Sequence, residues 1–150
     1  MKTLVIGVGN PVRGDDGLGL EAARRLAALR VPGCVVVEAS GDAWGLLEAW
    51  EDAEHVIVVD AARGTGTPGD VRRIDAVRER VPAALAPASA HGLGVPDAVE
   101  LARALGRLPR SLVVYVVEGR DFGLGSELSA EVEAALPGVI EAIASEARRG

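Results

Sequence analysis

The sequence predicts a three-layer α/β/α sandwich on a five-stranded, mostly parallel twisted sheet with one antiparallel strand. First, short β-branched runs alternate with stretches of helical periodicity, which is typical of parallel sheets covered by helices on both faces. Second, 150 residues suit one domain, which we place over residues 1–150. Third, the run at 71–74 follows a connection too short for a parallel crossover, so we expect it to be antiparallel and near an edge.

The first strand and helix are the clearest. Leu4–Val8 is apolar without alternation, as in a strand buried on both faces. Leu18–Leu29 repeats apolar residues at helical spacing, and Pro32-Gly33 ends it. The further strands are expected at Val35–Val37, Val56–Val59, Val71–Ile74 and Leu112–Val117, and the further helices at Trp44–Trp50, Val95–Leu105 and Ser129–Ala147. In the last helix, Ser129 suits an N-cap, and acidic residues at the start and Arg148-Arg149 after it match the helix dipole.

Composition excludes several classes of protein. A net charge of −6 argues against a protein that binds nucleic acid through its phosphates. No apolar run approaches the roughly 20 residues of a membrane span, and no secretory signal is recognisable, so we expect a cytoplasmic protein without a membrane association. The single cysteine, Cys34, excludes an internal disulfide, and we interpret it as a small apolar residue at a strand start.

The stretch "GVGNPVRGDDGLG" at 7–19 resembles a phosphate-binding loop but departs from it in two ways. The dinucleotide pattern G-x-G-x-x-G matches at Gly7 and Gly9, whereas Val12 takes the third position. Asp15 and Asp16 also bring two carboxylates to the helix N-terminus, where they would repel a pyrophosphate. Either aspartate could simply cap the helix, but the second still needs another explanation.

Three polar side chains are expected at one edge of the sheet. Asp16 follows the first strand, Asp60 ends the third, and His91 precedes a helix that leads into the last strand. Two carboxylates and an imidazole suit a divalent transition metal such as nickel or zinc. The alternative for His91 is a loop or capping residue without a ligand role. His55 stands at the opposite end of the third strand, so we interpret it as structural.

The blocks "LVIGVGNPVRGDDGLG", "VVVDAARG", "SAHGLG" and "VEGRDFGLGSELSAEV", in this order, resemble the hydrogenase maturation endopeptidases. The resemblance implies an enzyme that removes the C-terminal extension from the large-subunit precursor of a nickel–iron hydrogenase. It places the metal-contacting and catalytic residues at Asp16, Asp60 and His91, and some relatives carry Glu at the position of Asp16. It also implies that the nickel is supplied by the substrate, so the free protein need not hold a metal.

Other motifs for peptide hydrolysis are missing from the sequence. It contains neither G-x-S-x-G nor H-E-x-x-H, so hydrolysis would rest on the metal, on the carboxylates or on both. Two alternatives stay open: a metal-sensing or chaperone-like binding module that does not cleave, and a nucleotide-binding Rossmann-like protein. We expect a monomer or a weak homo-oligomer.

Overall fold

The computed structural model describes residues 2–64, 66–82, 94–125 and 127–149. Within these ranges the chain forms five strands and four α-helices. The strands are β1 (Thr3–Val8), β2 (Cys34–Ala39), β3 (His55–Ala62), β4 (Val71–Asp75) and β5 (Ser111–Glu118). The helices are α1 (Leu18–Leu29), α2 (Ala43–Trp50), α3 (Val95–Ala104) and α4 (Ala130–Arg149), and a short 3-10 helix (Gly14–Gly17) precedes α1. None of the helices in these ranges is long and apolar enough to cross a membrane.

The strands form one sheet in the order β2-β1-β3-β5-β4. β1 pairs in parallel with β2 and β3, and β3 pairs in parallel with β5. β4 is antiparallel to β5 and lies at the edge, as the short connection before it predicts. The carboxyl ends of β1 and β3 are therefore neighbours, because Gly7 pairs with Val59.

Two apolar cores lie on opposite faces of the sheet. Alternate residues of each central strand, such as Val5 of β1 and Ile57 of β3, pack against α1 and α4. The residues between them, such as Ile6 and Val58, pack against α2 and α3. The predicted three-layer α/β/α architecture is thus confirmed, and each residue's place along its strand decides which helical layer it faces.

Several predicted boundaries are wrong by a few residues. β3 continues to Ala62, so Asp60 lies inside the strand rather than at its end. α2 begins at Ala43 because the carboxylate of Asp42 accepts the N–H of Gly45 at 2.9 Å and caps the helix. Cys34 is the first residue of β2 and is only half-buried, not fully buried as expected. α4 runs two residues past its predicted end, to Arg149.

Candidate active site

The loop after β1 is compact because its glycines let the main chain double back. A Cβ on Gly9 would lie 1.9 Å from the carbonyl oxygen of Asp16. The N–H of Asn10 donates to that same oxygen at 3.2 Å, and the Asn10 side chain accepts the N–H of Val12 at 3.1 Å. Because Gly9 has no side chain, two main-chain segments of the loop can pack directly against each other.

Asp15 and Asp16 both lie in the 3-10 helix that precedes α1. The N-cap of α1 is Gly17, and no side chain caps that helix. The interpretation that either aspartate caps α1 is therefore wrong. Consecutive residues of a 3-10 helix point about 120° apart, so these two neighbours face different surroundings.

Asp15 faces the segment that joins β5 to α4. Its side chain is fully buried, and its carboxylate accepts the main-chain N–H groups of Arg120 at 2.7 Å, Asp121 at 3.1 Å and Ser129 at 2.7 Å. Burial raises the pKa of Asp15, but these hydrogen bonds outweigh it and hold the pKa below its ordinary value of 3.8. Asp15 is thus ionised and occupied by structural hydrogen bonds.

Asp16 instead lies close enough to Asp60 for its charge to act on that residue. Asp60 is only 3% exposed and lies on the face of β3 that packs against α2 and α3. Burial is the main reason why the pKa of Asp60 rises to about 8, and the charge of Asp16 raises it further. The N–H of Ala61, which donates to Asp60 Oδ1 at 2.8 Å, opposes this rise without cancelling it.

Asp16 is half-buried, and its pKa is also raised, mainly by burial. The main-chain N–H of Asn10 and the positive charge of Arg13 offset part of this effect. Among the residues that the structure describes, no Lys or Arg forms an ion pair with Asp16 or Asp60. Two carboxylates that repel each other in a poorly solvated place favour a proton or a cation between them.

Asp16 and Asp60 are two of the three side chains that the sequence predicts as metal donors. Oxygen donors of this kind suit divalent cations, so the chemistry of Asp16 and Asp60 fits a metal. The third expected donor, His91, lies outside the described residues. In the ranges that are described, no group of three His, Cys, Asp or Glu side chains has the arrangement of a metal site. His55 begins β3 at the opposite sheet edge, as predicted.

Sequence reasoning missed the part of the site contributed by residues 118–129. This segment is more than 100 positions away from Asp15 in the sequence, and no local sequence pattern predicts the contacts between them. The one local signal is Gly119, where a Cβ would lie 2.9 Å from the Cβ of Asp15. Glu118, which is 4% exposed, ends β5 on the same face of the sheet as Asp60 and is a further buried carboxyl group that the sequence did not single out.

This arrangement, with one carboxyl group in the 3-10 helix after β1 and one inside the neighbouring strand β3, can be compared with known proteins. A sequence model described as "HycI: Hydrogenase maturation protease" matches residues 20–146. The chain belongs to the hydrogenase maturation protease family. The resemblance seen in the motifs is thereby confirmed, and the nucleotide-binding alternative is not favoured.

Individual proteins are similar to this chain in sequence or in structure. Protein FrxA of Pyrococcus furiosus is 32% identical over 91% of this chain and 98% of its own length. A Methanocaldococcus jannaschii protein, provisionally named as a hydrogenase maturation protease, is 37% identical over 48% of this chain, and the match spans about half (49%) of that relative. The [NiFe] hydrogenase maturation protease HybD from Thermococcus kodakarensis has a TM-score of 0.75 and 29% identity, covering 98% of this chain and 99% of the other.

Proposed function

We propose that this protein is an endopeptidase that removes the C-terminal extension from the nickel-loaded large-subunit precursor of a nickel–iron hydrogenase. Membership of the hydrogenase maturation protease family supports the activity of a protease that acts on a hydrogenase precursor. The observation that carries the assignment of the site is that the charge of Asp16 acts on buried Asp60, and no Lys or Arg among the described residues forms an ion pair with either of them. A divalent cation carried by the precursor would supply the missing positive charge.

In this proposal Asp16 and Asp60 contact the nickel of the precursor, together with His91 as the third donor. Bound nickel would polarise a carbonyl group or a water molecule near the bond to be cleaved. The chain itself contributes two carboxyl groups with different surroundings. Asp60 is buried and has a pKa of about 8, so near neutral pH it can hold or release a proton within the site. Asp16 is half-buried, so part of the residue is exposed to solvent.

If the enzyme needs a metal that only the substrate supplies, it can cleave the precursor only after nickel has been inserted into it. A carboxylate pair that binds a cation poorly by itself would engage strongly only when the precursor adds its own ligands to the same ion. We therefore place the enzyme after nickel insertion, in the cytoplasm, with the precursor as its partner. A metal-sensing module without protease activity would use the same contacts, and product formation separates the two.

The experiment is an incubation of the purified protein with nickel-loaded precursor, followed by intact-mass measurement of the large subunit. We expect a shortened subunit and a released C-terminal peptide. The variants Asp16→Asn and Asp60→Asn keep the side-chain size and are expected to lower the rate by roughly 100-fold or more, because a positioned carboxylate is lost from the reacting group. A precursor of unchanged mass with the wild-type protein would refute the protease activity. Wild-type rates in both variants would refute the site.

A further inference from the structure

Asp15 connects three parts of the chain through a single carboxylate. Its Oδ2 accepts the N–H groups of Arg120 and Asp121, just after β5, and its Oδ1 accepts the N–H of Ser129, just before α4. We propose that Asp15 is a positioning residue for the cleavage reaction, because it fixes the rotation of the 3-10 helix so that Asp16 faces Asp60. This inference rests on the function proposed above for Asp16 and Asp60.

The geometry of the 3-10 helix couples the orientations of Asp15 and Asp16. Because adjacent side chains point about 120° apart, rotating this short helix to expose Asp15 would turn Asp16 away from Asp60. Asp15 is fully buried whereas Asp16 is half-buried, so the two side chains are in contrasting environments. Hydrogen bonds to an ionised carboxylate are stronger than neutral ones, and three of them resist such a rotation.

The main chain around Asp15 reinforces the same orientation. The N–H of Asp15 donates to the carbonyl of Asp121 at 2.7 Å, and the N–H of Gly14 donates to the carbonyl of Gly125 at 2.7 Å. Gly119 lies so close to Asp15 that a Cβ there would come within 2.9 Å of the Asp15 Cβ. The 3-10 helix is thus packed closely against the segment after β5, and a side chain at position 119 would push the two apart.

The opposite side of the 3-10 helix is held differently. There the contacts are to the main chain of Asp16, whose carbonyl accepts the N–H of Asn10 at 3.2 Å. The same N–H also stabilises the ionised Asp16 carboxyl, so this side of the helix is held near β1 through Asn10. Asp15 is the side chain that holds the other side of the helix against the segment after β5.

The first test compares Asp15→Asn with Asp75→Asn. Asparagine keeps the shape of Asp15 but turns an NH2 group toward an N–H donor, so at least one of the hydrogen bonds is lost. Asp75 is the matched control, because its Oδ1 accepts the N–H groups of Val77 at 3.2 Å and Arg78 at 3.4 Å. It pairs with Val113 near the amino end of β5, at the sheet edge opposite to Asp60.

Cleavage of nickel-loaded precursor is measured well below the unfolding midpoint of each variant, together with the amide hydrogen exchange of Arg120, Asp121 and Ser129. For Asp15→Asn we expect faster exchange at these amides and a kcat lowered roughly 10- to 100-fold, with KM changed by less than about twofold. For Asp75→Asn we expect lower stability at most, with kcat unchanged. A folded Asp15→Asn variant that has lost amide protection but keeps the wild-type kcat would overturn the proposal.

A second pair of variants serves if Asp15→Asn does not fold. Ser129→Pro removes both the main-chain N–H and the hydroxyl of Ser129, which each hydrogen-bond to Asp15, whereas Ser129→Ala keeps the N–H and removes only the hydroxyl. We expect Ser129→Pro to lower kcat more than Ser129→Ala does, and equal values of kcat would contradict the role of Asp15. If the wild-type protein leaves the precursor intact, the proposed function itself fails. If it cleaves and Asp15→Asn cleaves equally well, only the present inference fails.

Discussion

The negative charge of Asp16 raises the pKa of Asp60, a side chain that burial has already made hard to ionise. The two residues are 44 positions apart in the sequence, yet they meet because β1 and β3 are neighbours in the sheet. Asp15, next to Asp16, has the opposite property, since its hydrogen bonds lower its pKa. Two adjacent residues of one short helix therefore have carboxyl groups whose surroundings shift their pKa values in opposite directions.

The buried state of Asp60 makes stability depend on pH. Because its folded-state pKa of about 8 lies above the ordinary value of 3.8, the folded chain holds a proton that the unfolded chain releases between about pH 4 and pH 8. The contribution of Asp60 to stability is present below this window and is lost as the pH rises through it. We expect Asp60→Asn to be more stable than wild type at pH 8 by at least about 1.4 kcal/mol, equivalent to one pKa unit.

Urea unfolding of both proteins at pH 5 and pH 8, without metal, measures this effect. At pH 5 the carboxyl of Asp60 is protonated, so the two proteins should differ much less than at pH 8. A constant difference in the free energy of unfolding at both pH values would show that Asp60 does not titrate in this window.

Replacing glycine by alanine should destabilise the protein where the glycine is tightly packed and stabilise it on an open helix surface. In Gly9→Ala the new Cβ would meet the carbonyl of Asp16 at 1.9 Å, so the loop must shift, and we expect a loss of about 3 kcal/mol or more. Gly138 of α4 has no atom within 4 Å of an added Cβ, and Gly138→Ala should stabilise the helix by about 0.5–1 kcal/mol. Denaturant unfolding measures both changes, and a neutral Gly9→Ala would contradict the described loop.

Lengthening the side chain by one methylene should affect cleavage differently at Asp16 and at Asp60. Asp16 is half-buried, so Asp16→Glu can place an extra methylene toward solvent and is expected to keep measurable cleavage. Asp60 is 3% exposed, and Asp60→Glu would force the same methylene into a packed core, so we expect cleavage to be lost. Rates of precursor shortening, with circular dichroism as a check of folding, measure this contrast. Equal activities of the two variants would contradict the different burial of the two residues.

The single tyrosine allows a direct optical test of the opposite face of the sheet. The hydroxyl of Tyr115 donates to Glu146, which also pairs with Arg73. Burial and the neighbouring Glu146 raise the pKa of Tyr115 to about 12. Absorbance titration should show ionisation near pH 12 in the folded protein, and Glu146→Gln should lower that value. Ionisation near pH 10 in folded wild-type protein would contradict the contact.

The sequence is sufficient to predict the layered architecture, because β-branched runs and helical periodicity are local signals that tertiary packing here reinforces. It also predicts that Asp16 and Asp60 share one sheet edge, since adjacent parallel strands have their carboxyl ends together. The division of roles between Asp15 and Asp16 is different. It depends on N–H groups of Arg120, Asp121 and Ser129, whose proximity results only from the complete fold.

The end of β3 was also mispredicted for a tertiary reason. The run of large apolar residues in the sequence ends at Val59, and a following aspartate normally indicates the end of a strand. In the structure, pairing with β5 continues through Asp60 to Ala62, because this aspartate is buried inside the strand. The placement of His91, outside the described residues, stays a prediction.

The measurement that most directly tests the central claim is a parallel digestion of nickel-loaded and nickel-free large-subunit precursor, followed by mass spectrometry of both products. If the carboxylates of Asp16 and Asp60 engage a metal carried by the substrate, the wild-type protein should remove the C-terminal peptide only from the loaded precursor. The Asp60→Asn variant should leave even the loaded precursor at its full length. Equal shortening of the nickel-free precursor, or undiminished cleavage by Asp60→Asn, would contradict the account.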